Sequence, residues 1–519
     1  MQYAVNSAQM KTLDQKTIHE IGIPSLVLME RAALEVTKVV RNHAEIQDKV
    51  LVVCGTGNNG GDGIAIARIL FLYGHQVDLL ILGEHSKMTI ETNQQFEIAK
   101  NLGLSIRTET NFAEYTIIVD SIFGIGLSKP VQGLHADIIR GINEQSGRAY
   151  IISVDIPSGI SADCGQILGI AVKADETITF EEMKLGLLLY PGADYAGKIT
   201  VAKIGILPMR QQLDSTEAYL YCEPSDIKHL LPIRPAYSNK GSFGKVLVIA
   251  GSSQITGAAF LSAYAAYRMG VGLVKILTAQ AAIGVLQQLL PEAIFGAYDG
   301  ESWEQELLQS IIWADSVVLG PGIGNTDQSV LLFTKAVEIL KSKEYETTPV
   351  VIDADALNIL AANLDFEKVQ KTDRYSIIST KVPKLSILTP HLMELSRLNL
   401  EGVNNIPSIL IDIARECTYN NELIYVLKDT RTIVSSQNRK VINISGNNAM
   451  ATGGSGDALT GIIAALLARG LLREEAAMLG VYMHGLAGDA AKVKLGANSV
   501  LARDIIEALP EVLMNYDGK

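Results

Sequence analysis

The stretch Asn447-Asn448-Ala449-Met450-Ala451-Thr452-Gly453-Gly454-Ser455-Gly456-Asp457 carries the most structural information in this chain. The sequence that follows it predicts a helix with one buried face, marked at the i, i+3, i+4 and i+7 positions by Leu459, Ile462, Ile463 and Leu466. The glycines then lie at a helix N-terminus, where unpaired backbone N–H groups and the helix dipole attract an anion. Asp457 falls in the first turn, where a carboxylate can accept a hydroxyl proton during phosphoryl transfer. The alternative is a flexible turn before an ordinary capped helix.

The length and composition narrow the class of protein. A chain of 519 residues is typical of two or three domains, and a net charge of −12 makes nucleic acid and anionic membranes poor partners. We find neither an apolar run of membrane-spanning length nor a signal-peptide pattern, so we expect a cytoplasmic protein. The hydrophobic content of 48% suits a homo-oligomer. The cysteines form no Cys-x-x-Cys pair, which argues against disulfides and zinc: Cys54, Cys164, Cys222 and Cys417.

Two series of alternating strands and helices predict an α/β fold. Continuous Val, Ile and Leu runs between helical segments are typical of parallel sheets covered on both faces. In the first half the predicted strands span residues 49–54, 77–82, 116–119, 150–154, 177–180 and 199–204. In the second half they span 245–250, 316–319, 349–352, 385–388 and 423–427, before a hairpin of 432–435 with 440–444. We therefore predict domains at residues 1–210 and 224–519, joined by a polar linker at 211–223.

Glycine-rich and polar loops follow several strands of the second half. Because ligands of open α/β sheets bind beyond the carboxyl ends of the strands, these loops predict one binding rim. Lys428 is either a nucleotide-phosphate ligand or a solvated lysine, and His391 is either a site residue or a hydrogen-bonded buried histidine. We interpret Asp353 and Asp355 as helix caps. The chain lacks Gly-x-x-x-x-Gly-Lys-[Ser/Thr], which excludes a P-loop nucleotide site.

Six motifs of the second half resemble, in the same order, those of ADP/ATP-dependent NAD(P)H-hydrate dehydratases of the ribokinase-like superfamily. They are Lys240-Gly241-Ser242-Phe243-Gly244-Lys245, Thr256-Gly257-Ala258-Ala259, Gly320-Pro321-Gly322-Ile323-Gly324, Asp353-Ala354-Asp355-Ala356-Leu357-Asn358, Thr389-Pro390-His391 and Gly453-Gly454-Ser455-Gly456-Asp457. The resemblance covers roughly residues 224–515. It implies a ribokinase-like α/β domain that uses ADP or ATP, with Mg²⁺, to phosphorylate the C6 hydroxyl of hydrated NADH or NADPH. Elimination of the phosphate then restores the C5–C6 double bond.

The same resemblance assigns residues to the dehydratase site. Asp457 becomes the catalytic proton acceptor, and the hydrate is lined by Ala258, Gly322, His391 and Asp457. The nucleotide is held by Lys428, Asp429, Thr430, Arg431, Thr432, Gly454, Ser455 and Gly456. Two positions depart from the family pattern: Asp429 stands where a small residue is usual, and Leu392-Met393-Glu394 replaces the common Pro-Gly-Glu.

The first half carries a second set of polar loops. Gly55-Thr56-Gly57-Asn58-Asn59-Gly60 matches the dinucleotide fingerprint between a strand and a helix, and continues as Gly61-Asp62-Gly63. Asp120 and Asp155 end two other predicted strands. One such aspartate is usually a cap or a turn former, but three polar loops at the same sheet edge predict a site.

These motifs, together with Leu28-Met29-Glu30-Arg31-Ala32, resemble those of the NAD(P)H-hydrate epimerase domain over about residues 8–210. That resemblance implies a Rossmann-like three-layer sandwich. The resemblance implies a potassium ion held by Asn59, Asp120 and Ser158, an oxygen-only set that suits a hard cation. It places the hydrate against Asn58, Asn59, Gly60, Gly61, Asp62, Gly124, Ile125, Gly126, Leu127, Ser128, Lys129, Pro130 and Asp155. Asp155 is our candidate for acid/base work at C6, and Asp120 is its competitor. Ile125 stands where threonine is common.

Together the two halves resemble the family of bifunctional NAD(P)H-hydrate repair enzymes, which combine an isomerase with a lyase. An epimerase is a sensible companion for a dehydratase that accepts only the S epimer. The main alternative is a ribokinase-like vitamin or sugar kinase with a non-catalytic nucleotide-binding N-terminal module. A plain dehydrogenase would need substrate-pocket motifs that we do not find. The sequence leaves open the choice between ADP and ATP and between the two hydrates.

Overall fold

The computed structural model describes residues 1–209, 218–364, 371–398, 400, 406–417 and 422–516. The chain forms two compact units, Tyr3–Tyr219 and Leu220–Lys519, with Met1–Gln2 belonging to the second. Residues 211–217 of the predicted linker lie outside the described residues, and the rest of it contains the short strand Tyr219–Tyr221. Within the described ranges, none of the helices has the length and apolar character needed to span a bilayer.

The N-terminal unit alternates strands and helices. Its strands are β1 Gln2–Val5, β2 Lys49–Cys54, β3 Gln76–Ile81, β4 Ser105–Arg107, β5 Ile117–Ser121, β6 Tyr150–Val154, β7 Glu176–Phe180, β8 Met183–Lys184 and β9 Lys198–Ala202. Its helices are α1 Ser7–Lys16, α2 Ser25–His43, α3 Asn58–Leu72, α4 Ile90–Asn101, α5 Leu134–Asn143, α6 Leu185–Leu188 and α7 Gly192–Tyr195. Seven strands form a parallel sheet in the order β4-β3-β2-β5-β6-β7-β9.

The strand order reverses between β2 and β5, which makes their carboxyl ends the place where a ligand crevice opens. Successive residues of β2 enter opposite cores: Val50 and Val52 pack in the core that holds α2 and α3, and Leu51 and Val53 in the core that holds α5. The loops after the two strands touch so closely that a Cβ on Gly55 would lie 2.1 Å from the Ile122 carbonyl oxygen. Glycine is therefore required at this crossing.

The second unit contains the remaining elements. Its strands are β10 Tyr219–Tyr221, β11 Lys245–Ile249, β12 Leu273–Thr278, β13 Ile294–Ala297, β14 Ser316–Leu319, β15 Val350–Ile352, β16 Ser386–Leu388, β17 Ile424–Leu427, β18 Ile433–Ser435 and β19 Lys440–Ile442. Its helices are α8 Pro224–Lys228, α9 Thr256–Arg268, α10 Gln280–Leu289, α11 Trp303–Trp313, α12 Asp327–Lys341, α13 Asp355–Ala362, α14 Lys371–Lys381, α15 Leu392–Arg397, α16 Ile406–Cys417, α17 Ser455–Ala468, α18 Arg473–Leu495 and α19 Ala502–Met514.

The sheet of this unit runs β13-β12-β11-β14-β15-β16-β17-β18-β19, parallel as far as β17 and antiparallel in the closing hairpin. Its order reverses between β11 and β14. The predicted α/β class is confirmed in both units. The sequence analysis missed β12 and β13. In β12 the apolar run is interrupted by Lys275, which pairs with Glu306 at 2.8 Å in the structure.

Helix α17 differs from the prediction made from its apolar spacing. It begins at Ser455, inside the glycine-rich stretch, and every residue from Ala458 to Leu467 is buried rather than one face only. The reason is its position, since α17 packs against α9, α18 and β14 together. A helix surrounded by other elements is apolar all round.

Candidate active sites

A cavity of about 690 Å³ opens at the reversal point of the N-terminal sheet. The loops after β2 and β5 form one wall, and α1, α2 and the end of β6 form others. The predicted hydrate residues that line it are Asn58, Asn59, Asp62, Gly124, Ile125, Gly126, Leu127, Ser128, Lys129 and Asp155. Gly60 and Gly61 are buried behind this wall, and Pro130 is exposed outside it. The cavity also contacts Asp14, Lys184 and apolar residues such as Met29, which the sequence did not assign to the hydrate.

Asp155 is held in an unusual conformation at the end of β6. Its φ is +68°, a left-handed value that is uncommon for a residue with a side chain. Its Oδ1 pairs with the Lys184 ammonium at 2.6 Å and accepts hydrogen bonds from Thr179 Oγ1 at 3.2 Å and Phe180 N–H at 3.4 Å. Lys184 is fully buried and also donates to the Phe180 carbonyl at 2.7 Å. Three donors therefore fix one oxygen of this carboxylate.

Two further carboxyl groups face the same cavity. Burial, together with the charges of Asp155 and Asp14, raises the pKa of Asp62 well above its usual range. Burial also raises the pKa of Asp14, and the charges of Asp155 and Glu91 add to the effect. Carboxyl groups close to one another in a poorly solvated site cannot all ionise, so this cavity favours a protonated acid beside an ionised base.

Asp120 occupies a different environment from Asp155. It is fully buried, does not line the cavity, and accepts hydrogen bonds on both oxygens. Ser158 donates through Oγ at 2.5 Å and through N–H at 2.8 Å, Ser153 Oγ donates at 2.9 Å, and Ile122 N–H donates at 3.3 Å. Burial raises the pKa of Asp120, and these hydrogen bonds oppose the rise. Beside this cluster, the buried Oδ1 and Nδ2 atoms of Asn59 have no hydrogen-bond partner.

The second site lies at the start of α17. Gly454 precedes the helix with a φ of +90°, and Asp457 stands in the first turn, so the amides of residues 454–456 are not committed to helix bonds. Burial and the charge of Asp353 raise the pKa of Asp457 to about 7, against the opposing effect of Lys428. Asp457 can therefore gain or lose a proton near neutral pH, as a general base requires.

Lys428 is part of a buried network rather than solvated. Its ammonium pairs with Asp353 Oδ1 at 2.6 Å and lies 4.0 Å from Glu394 Oε2. Thr460 Oγ1, on α17, donates to Asp353 Oδ2 at 3.0 Å. The interpretation of Asp353 as a helix cap is wrong, because Ala354 is the N-cap of α13 and the Asp353 carboxylate is committed to Lys428.

His391 begins helix α15 and caps it. Its Nδ1 accepts the N–H groups of Met393 at 3.1 Å and Glu394 at 3.4 Å, so a neutral ring carries its proton on Nε2. The side chain is 47% exposed, not buried. Burial raises the pKa of Glu394 to about 7, and Lys428 opposes the rise. The sequence left the role of Glu394 open. In the structure, its Oε2 accepts a hydrogen bond from the backbone N–H of His391 at 2.8 Å.

Ala258 and Gly322, two residues assigned to the hydrate, lie against each other in this site. At the reversal point between β11 and β14, a Cβ on Gly322 would lie 2.9 Å from the Ala258 Cβ, so the two assigned hydrate residues are in contact. Asp355 accepts the Gly324 N–H at 2.8 Å and so fastens this loop to α13. The interpretation of Asp355 as a cap is wrong, because the N-cap of α13 is Ala354 and Asp355 is the first residue inside the helix.

The nucleotide segment after β17 is braced by its own hydrogen bonds. Arg431 donates to the Ile444 carbonyl at 2.6 Å, and Thr432 Oγ1 donates to the Asp429 carbonyl at 3.3 Å. Burial raises the pKa of Asp429. Sequence analysis missed His484 on α18, whose Nε2 lies 3.3 Å from Ser455 Oγ. Burial lowers the pKa of His484 to about 4, so its ring is neutral at physiological pH.

Comparisons with known proteins cover both units. Residues 246–511 match the family model described as NAD(P)H-hydrate dehydratase, and residues 25–186 match the YjeF-related protein N-terminus. A bifunctional NAD(P)H-hydrate repair enzyme of Moorella thermoacetica is 34% identical over 99% of this chain and 97% of its own length. The Thermofilum pendens enzyme of the same description is 32% identical over 98% and 95%. A solved Bacillus subtilis ADP/ATP-dependent NAD(P)H-hydrate dehydratase, co-crystallised with ATP and Mg²⁺, is 27% identical over 58% of this chain and 99% of its own, with a TM-score of 0.48.

Proposed function

Because this chain belongs to the family of bifunctional NAD(P)H-hydrate repair enzymes, we propose that residues 1–210 carry the epimerase site and residues 224–519 the dehydratase site. The family predicted from the sequence motifs is thus confirmed, together with its Rossmann-like and ribokinase-like domains. The enzyme interconverts the R and S forms of hydrated NADH and NADPH and dehydrates the S form with ADP or ATP. A family match over nearly the whole chain sets aside the vitamin or sugar kinase with a non-catalytic N-terminal module.

In the dehydratase, Asp457 takes the proton of the C6 hydroxyl while the oxygen attacks the terminal phosphorus of the nucleotide. The bond from that phosphorus to the nucleotide breaks, and the N–H groups of Gly454, Ser455 and Gly456 stabilise the moving phosphoryl group. The phosphate then leaves C6 with its bonding electrons and C5 loses a proton, which forms the C5–C6 double bond. The observation that supports this proposal is a carboxyl group with a pKa of about 7 in the first turn of α17, beside the glycine-rich N-terminus of that helix.

The remaining assigned residues bind and orient the two substrates. Ala258, Gly322 and His391 line the hydrate, with His391 offering its Nε2 proton as a hydrogen-bond donor. Lys428 meets the nucleotide phosphates as a point charge, and the 429–432 segment, braced by the Ile444 carbonyl, lies along the nucleotide. Ser455 is oriented by the neutral His484 ring.

In the epimerase, C6 is bonded to both a hydroxyl group and the ring nitrogen. We assign Asp62 as the acid that protonates the hydroxyl, so that water leaves and the nitrogen lone pair forms a C=N⁺ bond. Water then returns to the other face and gives its proton to Asp155. Asp155 is favoured over Asp120 because Asp155 lines the cavity. Asp120 does not line it, and both of its carboxylate oxygens accept hydrogen bonds from Ser158.

A potassium ion fits the buried cluster behind the epimerase cavity. Asn59 Oδ1 is buried without a partner, and Asp120 and Ser158 supply further oxygen atoms, the ligand type that a hard cation prefers. We propose that these three residues, from α3, β5 and the loop after β6, would hold K⁺, which would supply a fixed positive charge there. Mg²⁺ is proposed to accompany the nucleotide, since it is usually bound through substrate phosphates with few protein ligands.

We further propose that the enzyme works as a cytoplasmic homo-oligomer on small molecules alone, without nucleic acid or membrane partners. The net charge of −12 supports the proposed absence of nucleic-acid and membrane partners. Large apolar side chains of the second unit lie open in the single chain, with Ile233 87%, Tyr237 102% and Val493 89% exposed. Light scattering after gel filtration measures the oligomeric state, and a monomer at micromolar concentration contradicts this part of the proposal.

The dehydratase assignment is tested with a racemic hydrate of NADH and purified protein. The absorbance of the reduced ring is followed with ADP or ATP, and the two epimers are separated by chromatography. We expect Asp457→Asn to abolish recovery of NADH while epimer exchange continues. Asp327→Asn is the matched control, because Asp327 occupies the exposed first turn of α12. Normal dehydration by Asp457→Asn would remove this residue from the proposed mechanism.

A further inference from the structure

Asp353 lies outside both residue sets assigned to the dehydratase substrates, yet it joins three elements of the site. The residue follows β15, and its side chain is 1% exposed. Its Oδ1 pairs with Lys428 after β17, and its Oδ2 accepts the hydroxyl of Thr460 on α17. Burial alone would raise the pKa of Asp353, but Lys428 and the hydrogen bonds hold it below the usual range, so the group is ionised. An ionised, buried carboxylate with two charged or polar partners is a fixed element of the site.

Lys428 stands where a cation is electrostatically disfavoured. A Cβ on Gly456 would lie 3.3 Å from Lys428 Nζ and 3.6 Å from Asp353 Oδ2, so the ammonium contacts the first turn of α17. The N-terminus of a helix carries a partial positive charge and repels a cation. The Asp353 carboxylate compensates both positive charges. In its absence, Lys428 would gain free energy by turning away from the amides that receive the phosphate.

We propose that Asp353 is a positioning residue of the dehydratase, which holds Lys428 against the first turn of α17 beside Asp457. The inference rests on the proposed roles of Lys428 in nucleotide binding and of Asp457 as proton acceptor. Asp353 itself touches neither substrate. Its function is to place the phosphate-binding cation and the proton acceptor in one fixed arrangement before the nucleotide arrives.

The same carboxylate influences the protonation of Asp457. The charged groups that face Asp457 are Asp353 after β15, Lys428 after β17 and Asp355 at the start of α13. The negative charge of Asp353 raises the pKa of Asp457, and Lys428 lowers it. Replacing Asp353 by asparagine removes the first effect, which is the larger of the two, so its loss outweighs any weakening of the Lys428 effect when the ammonium turns away. The pKa of Asp457 then falls, and the acid limb of the dehydration profile moves to lower pH.

The experiment compares Asp353→Asn, Lys428→Met and the double variant in the full chain, with hydrated NADH as substrate. Asp353→Asn is expected to raise the nucleotide KM about tenfold, because a buried charge loses its partner. It should also move the acid limb of kcat/KM to lower pH, which a purely structural role would not do. In the Lys428→Met background, Asp353→Asn should add little to KM, since the residue acts through Lys428. An unchanged KM and an unmoved acid limb would overturn the inference.

Failure of the inference and failure of the proposed function give different results. If Lys428→Met leaves the nucleotide KM unchanged, the proposed role of Lys428 is wrong. If Lys428→Met raises KM and Asp353→Asn does not, only the role of Asp353 is wrong. The fluorescence of Trp303 and Trp313, which both lie in the second unit, reports that this unit is folded in each variant. If Asp353→Asn does not fold, Thr460→Val takes its place, with an expected rise in KM of about threefold from the lost hydrogen bond, and an unchanged KM overturns the inference.

Discussion

The two sites of this enzyme are built on the same kind of scaffold but pair their buried lysine differently. Both lie at the reversal point of a parallel sheet, and both contain an aspartate assigned to proton transfer. In the epimerase site, Lys184 pairs with that aspartate itself, Asp155, at 2.6 Å. In the dehydratase site, Lys428 pairs at the same distance with a different carboxylate, Asp353. The proton acceptor Asp457 is left with a pKa of about 7.

The difference shows how one scaffold serves two kinds of proton transfer. A lysine bonded directly to the catalytic carboxylate holds that carboxylate in one orientation. A lysine bonded to a second carboxylate remains available to a phosphate, while the extra negative charge makes the catalytic group a stronger base. Epimerisation transfers no phosphoryl group, so its lysine can pair directly with the catalytic carboxylate. Phosphoryl transfer needs the cation and the base together.

The largest effect that separates the two sites is expected from Asp155→Asn. Epimer exchange should fall by about 10²- to 10⁴-fold, the usual contribution of a general acid–base group. Dehydration of the S epimer should continue, so recovery of NADH from a racemic hydrate stops when the S form is used up. Chromatography of the epimers measures the first quantity and absorbance the second. Exchange at the normal rate would transfer the acid/base role to Asp120.

Breaking the direct pair should also destabilise the N-terminal unit. Lys184→Met leaves the Asp155 carboxylate without its cation in a buried site, at a cost of about 3–5 kcal/mol of unfolding free energy. The matched control is Lys100→Met, whose side chain is 63% exposed and pairs with the 51% exposed Glu97 at 3.8 Å. We expect that control to change stability by less than about 1 kcal/mol.

Urea unfolding followed by far-UV circular dichroism measures both variants. Trp303 and Trp313, the two tryptophans of the chain, belong to the second unit, so their fluorescence reports that unit as an internal reference. Equal losses of unfolding free energy for Lys184→Met and Lys100→Met would contradict the stabilising role of the buried pair.

The pH dependence of dehydration tests the role of Asp457 as the proton acceptor. The base must be ionised to act, and its pKa is about 7. Dehydration kcat/KM should therefore decline as pH falls through 7, approaching about tenfold per pH unit below it. The loss is on the acid side because protonation removes the acceptor. Rates measured at constant ionic strength with ADP and with ATP test this, and a profile that stays flat down to about pH 5 contradicts it.

The smallest effect concerns Asp429, the carboxylate that stands beside the proposed phosphate contacts. Asp429→Ser removes a negative charge there, so the nucleotide KM should fall by about two- to threefold at low salt and less at high salt. Epimer exchange should not change. Titration of ADP against both proteins at two ionic strengths measures the effect. A higher KM for the serine variant would show that Asp429 is a nucleotide ligand rather than a hindrance.

Much of the scaffold could be predicted because its signals are local. The strands Lys49–Cys54, Tyr150–Val154 and Ser316–Leu319 coincide with uninterrupted apolar runs, and the polar loops after them are where parallel strands place a ligand. The assignments that follow from loops, such as the cavity position of Asp62 and Asp155, depend only on strand direction.

The partners of these residues could not be predicted in the same way. Lys184 is 29 positions away from Asp155 in the chain, and its one local signal is a single basic residue in the apolar run Met183-Lys184-Leu185-Gly186-Leu187. Asp353 follows a strand and precedes a helix, a pattern that usually indicates a cap, but tertiary contact with Lys428 prevails. Thr460 and His484 lie in apolar helices, where their bonds to the site depend on helix rotation and packing.

The left-handed backbone of Asp155 and its ion pair with Lys184 place opposite demands on the residue at this position. At a φ of +68° glycine is the residue that the main chain prefers, and a side chain there is tolerated at a cost. Glycine would also leave the buried Lys184 ammonium without its carboxylate, at a cost of about 3–5 kcal/mol, which exceeds the ~1–3 kcal/mol of backbone strain. A library of all amino acids at this position, selected only for soluble expression, should therefore retain aspartate over glycine. The same library grown under selection for clearance of damaged cofactor should return aspartate.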